Sequence, residues 1–239
     1  MAFLDNYSAV LLDMNLTFMF DCDRFGPSED YYATYQAVGG RQLDRAALMR
    51  AMQAGLEGML RDYETPECYE NFPSVSEAFQ RYTDAPVAEL ALFEQLFARH
   101  EIGVVPPANV DFLRSLAQTH HVGVVSNICA KPEPWLSLFQ ESGLLPLFRT
   151  IVFSSQWRTI KPSHSLFRKA LSDLPSDATV LFVGDSLVRD ILPAKALGMD
   201  TVWLAPEGST HPAADVVVTR LTDLALLPAN NSLQADRER

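Results

Sequence analysis

Cysteine is scarce, with Cys22, Cys68 and Cys129 the whole complement of 239 residues. The three form neither a paired framework nor a ligand-like spacing, which fits a reducing compartment and gives no support for a zinc site. Long apolar runs are missing too: none approaches the ~18 residues of a membrane span, and the amino terminus lacks the basic region and apolar core of a secretory signal. These absences predict a soluble, cytoplasmic protein with no membrane partner. Positive charge is in short supply, 19 Lys and Arg against 30 Asp and Glu giving a net charge of −11 and a pI near 4.8. A nucleic-acid backbone is therefore excluded as a partner, whereas a small anion can still bind at a locally arranged site. The histidines, His100, His120, His121, His164 and His211, share no convergent spacing and read as packing or surface residues.

What is present is ample apolar content, 48% of a chain long enough to bury a core with a smaller insert. Residues 9–20, AVLLDMNLTFMF, organise the rest. An apolar run of β-propensity, 9–12, ends in Asp13, and Asn15 and Thr17 follow at once. A turn explains such polar residues, and so does a catalytic or metal-ligating carboxylate at a strand end. Residues 21–27 read as loop. Helical periodicity then occupies 31–38, 44–63, 75–82 and 87–100 without a convincing strand, and its aromatic residues suit a bundle better than a cofactor box. After Pro106-Pro107 the pattern changes. Short apolar strands at 121–125, 151–153, 179–183, 201–204 and 215–218 alternate with helices at 109–119, 133–142, 163–171, 187–197 and near 221–227. Alternation of this kind predicts an α/β fold, a doubly wound, mainly parallel Rossmann-like sheet covered on both faces. Residues 1–20 and 104–230 would form that core, 21–103 an inserted α-helical cap domain, and 231–239 a flexible polar tail.

In such sheets ligands sit outside the carboxyl ends of the strands. Asp13, Ser126 and Asp185 each end a strand, Lys161 lies in a loop before a helix, and Asp190 follows Asp185 by five residues. Two carboxylates at adjacent strand ends repel unless a cation lies between them, and Mg²⁺ suits oxygen ligands. Lys161 and Ser126 can then hold phosphate oxygens while Asp13 attacks phosphorus in line, giving an aspartyl-phosphate. Thr17 and Asn127 are equally plausible as local backbone caps, and Lys131-Pro132, only five residues beyond Ser126, reads as the start of a helix.

These residues carry a resemblance. Residues 13–17, Asp-Met-Asn-Leu-Thr, resemble the first motif of the haloacid dehalogenase-like hydrolases; 124–127, Val-Val-Ser-Asn, resemble the second; Lys161-Pro162 the lysine motif; and 184–190, Gly-Asp-Ser-Leu-Val-Arg-Asp, the acidic motif. The chain, over about residues 8–220, is identified as a member of that superfamily, in its phosphatase-like branch with a helical cap inserted after the first core strand. The resemblance implies Asp13 as nucleophile, Ser126, Asn127, Thr17 and Lys161 as phosphate- or substrate-binding residues, Asp13, the Asn15 carbonyl and Asp185 as Mg²⁺ ligands, and Asp190 as a companion behind them. It also implies a helical cap that closes over the site.

One position departs from the family pattern. Asn15 stands where family phosphatases carry the aspartate that protonates the leaving group and then activates water, and an amide exchanges no proton. Asp21 and Asp23, in the loop toward the cap, read as solvated carboxylates, with inward movement of either as the alternative. The expectation is a Mg²⁺-dependent hydrolase of a small phosphorylated metabolite, slowed by Asn15, acting as a monomer or homodimer; the alternative is a phosphate- and Mg²⁺-binding regulatory protein with weakened catalysis. A dehalogenase is disfavoured, because attack on carbon has less use for two metal-facing acids.

Overall fold

The computed structural model describes residues 2–229, so the tail expected at 231–239 lies outside the described residues. Six strands, β1 (Ala9–Leu12), β2 (His121–Ser126), β3 (Phe148–Phe153), β4 (Val180–Gly184), β5 (Asp200–Leu204) and β6 (Val216–Val218), form one sheet in the order β3-β2-β1-β4-β5-β6. Every pairing is parallel, and Leu12 lies between Val124 and Val183. Along β1, Val10 and Leu12 join one buried cluster and Ala9 and Leu11 another, so both faces are covered. A strand buried on both faces reads as an unbroken apolar run, which is why β1 shows no alternation. The chain runs outward from β1 through β2 and β3, then crosses to β4 and runs the other way. That reversal opens a crevice between the carboxyl ends of β1 and β4.

Between β1 and β2 lie the cap helices α1 (Tyr31–Ala37), α2 (Arg45–Glu64), α3 (Val75–Tyr82) and α4 (Leu90–Glu101). Asp44 caps α2 by accepting from the Ala47 N–H at 2.7 Å, and Ser74 and Glu77 form a capping box on α3. A Cβ at Gly55 would lie 2.6 Å from the Phe79 ring, so glycine lets α2 approach α3 closely. Phe79 in turn stacks on Phe93 of α4 with ring centroids 4.2 Å apart. The aromatic stripe packs upon itself.

The two connections to the cap run side by side. Phe20 and Val104 exchange antiparallel hydrogen bonds of 2.8 and 2.7 Å, and Arg24 donates to the carbonyls of Ile102 and Arg99. The cap is also docked on the core at its far side: Phe72 N–H donates to the Arg158 carbonyl at 2.7 Å, and Ile160 N–H to the Tyr69 carbonyl at 2.9 Å.

Around the sheet pack α5 (Pro107–Leu116), α6 (Glu133–Glu141), the short α7 (Ser154–Trp157), α8 (His164–Ser172) and α9 (Leu192–Ala196). Four expectations need correction. The helix expected over 187–197 is a π-turn, Leu187–Ile191, followed by α9, because Pro193 offers no N–H to continue one regular helix. The segment near 221–227 is a 3₁₀ helix, Leu221–Leu226, and 87–89 is a 3₁₀ turn ahead of α4. Strand β3 begins at Phe148, three residues before its expected start. It is an edge strand, with Arg149 exposed between buried Phe148 and Thr150, so its first half lacks an apolar run.

Candidate active site

Asp13 follows β1 directly, its N–H bonded to the Val183 carbonyl at 2.9 Å, which fixes it at the β1/β4 crevice. Its Oδ1 accepts from Ser126 Oγ at 3.0 Å and Lys161 Nζ at 2.5 Å; its Oδ2 has Thr17 Oγ1 at 3.4 Å. The same ammonium donates to Asp190 Oδ1 at 2.6 Å, while Asp190 Oδ2 accepts from the Ser186 N–H at 2.9 Å. Burial opposes the charge on Lys161, but the facing carboxylates of Asp13 and Asp190 outweigh it and raise its pKa above the usual lysine range. Gly184 makes this packing possible, since a Cβ there would lie 2.6 Å from the Asp190 carboxylate.

Asp185 completes the cluster. Trp203 Nε1 from β5 holds its main-chain carbonyl at 2.8 Å, and one carboxylate oxygen from each of Asp13, Asp185 and Asp190 lies within 4.8 Å of the others. Burial, reinforced by the charges of Asp13 and Asp190, pushes Asp185 up to about 7, and burial also raises Asp190. Three carboxylates thus share one ammonium. The surplus negative charge and the all-oxygen donor set fit a hard divalent cation such as Mg²⁺.

The remaining residues singled out in the sequence occupy different places. Asn127 grips the lysine loop, its Oδ1 accepting from Lys161 N–H at 2.8 Å and its Nδ2 donating to the Lys161 carbonyl and to Tyr63 Oη. Thr17 is fully buried and touches Asp13. Asn15 donates from Nδ2 to Asp23 Oδ2 at 3.1 Å, whereas its buried Oδ1 has no partner. Asp23 is exposed, as expected of a loop carboxylate, yet it is also held by Asn15. Partial enclosure of its carboxyl group, with a lesser contribution from the charge of Asp13, raises its pKa. Left-handed backbone at Leu16, Asp21 and Asp23, with φ of 57°, 54° and 53°, turns this loop back across the site. Asp21 is exposed, as expected.

A cavity of about 390 Å³ connects the cluster with the cap. Its walls include Tyr63, Arg189 and Glu101, none of them anticipated. Arg189 stacks over the Tyr63 ring at 3.6 Å and donates to the carbonyls of Lys161 and Tyr63, at 2.7 and 2.8 Å, joining cap to core. Glu101, at the end of α4, accepts from the backbone N–H groups of Cys129 and Ala130, and burial pushes it up to about 8. Its signal in the sequence was a carboxylate within the apolar periodicity of α4; Arg189 had none beyond its place in the acidic motif.

Residues 93–204 match the haloacid dehalogenase-like hydrolase family, a stretch that holds Ser126, Lys161, Asp185 and Asp190 and begins after Asp13. The fold, a parallel α/β core with an inserted helical cap, is the one seen in haloacid dehalogenase-like structures. Among curated relatives, the HAD-hydrolase YfnB of Bacillus subtilis is 29% identical over 50% of this chain and 52% of its own, so the match spans about half that relative's length. Its magnesium-bound crystal structure, in which interdomain movement is described, shares the fold with a TM-score of 0.58 at 19% identity, over 92% of this chain and 97% of that one. The ribulose-1,5-bisphosphate 5-phosphatase of Halopiger xanaduensis is 26% identical over 75% of this chain and 78% of its own. An L-2-haloacid dehalogenase from Xanthobacter autotrophicus with chloropropionic acid covalently bound has a TM-score of 0.59 at 21% identity, over 92% and 98% of the two chains. This fold therefore hosts chemistry at phosphorus and at carbon, and the site has to discriminate.

Proposed function

We propose that the protein hydrolyses the phosphomonoester of a small metabolite, with Mg²⁺ as cofactor and an aspartyl-phosphate on Asp13 as intermediate. The observation that carries this reading is the buried Lys161 bridge between Asp13 and Asp190, with Asp185 in the same oxygen cluster. Asp13, the Asn15 carbonyl and Asp185 would hold the ion, which supplies charge stabilisation for the transferring phosphoryl group. A site for attack on carbon needs no such excess of carboxylates.

Each residue then has a defined task. Asp13 forms a bond to phosphorus as the ester oxygen leaves. Lys161 has three N–H bonds, of which two serve Asp13 and Asp190, so the third is free for a phosphate oxygen. Ser126 is placed to transfer its hydrogen bond from Asp13 to another phosphate oxygen. Asn15 donates no proton to the leaving alkoxide; its Nδ2 instead steers Asp23, the nearest group at that position that exchanges one. Its unpartnered Oδ1 can accept from the water that cleaves the aspartyl-phosphate. The acidic surface and the free thiols of Cys22, Cys68 and Cys129 suit a cytoplasmic monomer or homodimer.

Asn15 favours a second reading, a phosphate- and Mg²⁺-binding regulatory protein with little turnover. Screening wild type, Asn15→Asp and Asp13→Asn against a phosphomonoester panel, with Mg²⁺ and with chelator, separates the two. Metal-dependent release of phosphate by wild type supports hydrolysis, activity confined to Asn15→Asp supports the regulatory reading, and strong activity in Asp13→Asn contradicts both.

A further inference from the structure

Inside the cavity, away from the phosphate cluster, the walls are apolar. Phe25, Leu56, Met59, Phe72, Phe97 and Ile160 face it from the cap and from the loop before Lys161. Both cations on the lining are partly engaged. Lys161 lies between Asp13 and Asp190 with one N–H left for the phosphate, and Arg189, stacked on Tyr63, uses three of its five N–H groups on two carbonyls and Glu64. The lining has no other basic side chain among the described residues.

Its polar groups are engaged in the same way. Both oxygens of Glu101 accept backbone N–H groups, Asp23 accepts from Asn15, and Asn127 is held by Lys161 and Tyr63. Outside the phosphate cluster, the unpartnered Oδ1 of Asn15, the hydroxyl protons of Tyr63 and Ser186 and two N–H groups of Arg189 are what remains for a ligand. A polyol would lose most of its hydrogen bonds to water without replacement, and a second phosphate or a carboxylate would meet apolar walls and the acidic side chain of Asp23. An uncharged apolar or aromatic group, in contrast, gains by leaving water.

Resting on the phosphomonoesterase reading above, we infer that the substrate is the monophosphate of an uncharged, largely apolar alcohol, and that the cavity discriminates against bisphosphates and phosphorylated acids. The bisphosphate in the name of the Halopiger relative carries a second anionic group for which this cavity offers no cation beyond Lys161 and Arg189, each already facing other oxygens.

Binding tests this independently of turnover. Calorimetry of the full chain with Mg²⁺ would compare benzylphosphonate with 3-phosphonopropionate, which bear the same phosphonate on an aromatic and on a carboxylate body. The expected result is ~10-fold or more tighter binding of benzylphosphonate, within the range that one pocket contact typically supplies. Leu60→Lys, at the exposed rim, places a cation at the mouth without disturbing the core and should narrow or reverse the preference. Leu56→Lys, deeper in the wall, should do so more strongly.

Equal or tighter binding of 3-phosphonopropionate by wild type would overturn the inference, as would a preference unmoved by both lysine variants. Failure of the catalytic reading looks different: benzylphosphonate would bind selectively, yet neither wild type nor Asn15→Asp would release phosphate from benzyl phosphate. Binding of neither phosphonate would contradict both.

Discussion

Lys161 is the residue on which the site's electrostatics turn, because one buried ammonium offsets two carboxylates that could not otherwise stay ionised side by side. It was legible with Asp13, Ser126, Asp185 and Asp190, since all five sit where a strand ends or a loop enters a helix. Asp23 was not: it reaches Asn15 through three left-handed residues, a backbone path that no periodicity encodes. If Asp23 is the proton donor, Asp23→Asn should lower Mg²⁺-dependent turnover by about 10²- to 10⁴-fold, with KM less affected. Adding Asn15→Asp to that variant should restore turnover. Steady-state kinetics of the two variants checks this, and undiminished turnover in Asp23→Asn would return the acid to an unidentified group.

At the scale of elements, β1, β2 and β4 were readable because strands buried on both faces are apolar throughout, whereas β3 was half-hidden by the polar residues of an edge. The segment after β4 was misread for a related reason. A helical pattern showed the apolar positions of 187–197 but not the π-turn that places Asp190 under Gly184. Gly184→Ala puts a methyl group within 2.6 Å of that carboxylate and should displace it from Lys161. The expected outcome is a loss of about 1–3 kcal/mol of stability from overpacking together with weaker Mg²⁺ binding. Urea denaturation and Mg²⁺ calorimetry read the two effects; unchanged values for both would show that this close approach has no consequence. Asp185→Ala should weaken Mg²⁺ binding without that steric change, and equal affinity would remove Asp185 from the proposed metal site.

For the molecule as a whole, the cap was visible as four helical patterns between the first strand and the rest, but its attachment was not. Arg189 and Glu101 tie cap to core through backbone carbonyls and N–H groups, contacts for which side-chain patterning has no signature. Glu101 makes stability depend on pH. Its folded pKa of about 8 lies above the ~4.3 of an unfolded glutamate, so the unfolded chain releases this proton first. The stability it contributes is fully present below ~4.3 and is lost as pH rises through about 8. Asp185, raised to about 7, acts in the same direction in the absence of a cation. Urea midpoints of the metal-free protein should therefore fall between pH 5.5 and 8.5, and Glu101→Gln should flatten part of that fall. An identical slope in the variant would mean that Glu101 does not titrate as its burial requires.

The proposed covalent step on Asp13 would join the residue, the crevice and the cap into one mechanism. Its most direct measurement is acid-quenched labelling, in which the best phosphomonoester of the panel, carrying radiolabelled phosphate, is mixed with protein and Mg²⁺ and the labelled peptide is mapped. The account predicts an acid-stable, hydroxylamine-labile label on Asp13 that is absent from Asp13→Asn. Turnover without label on Asp13, or a label that persists in Asp13→Asn, would contradict it.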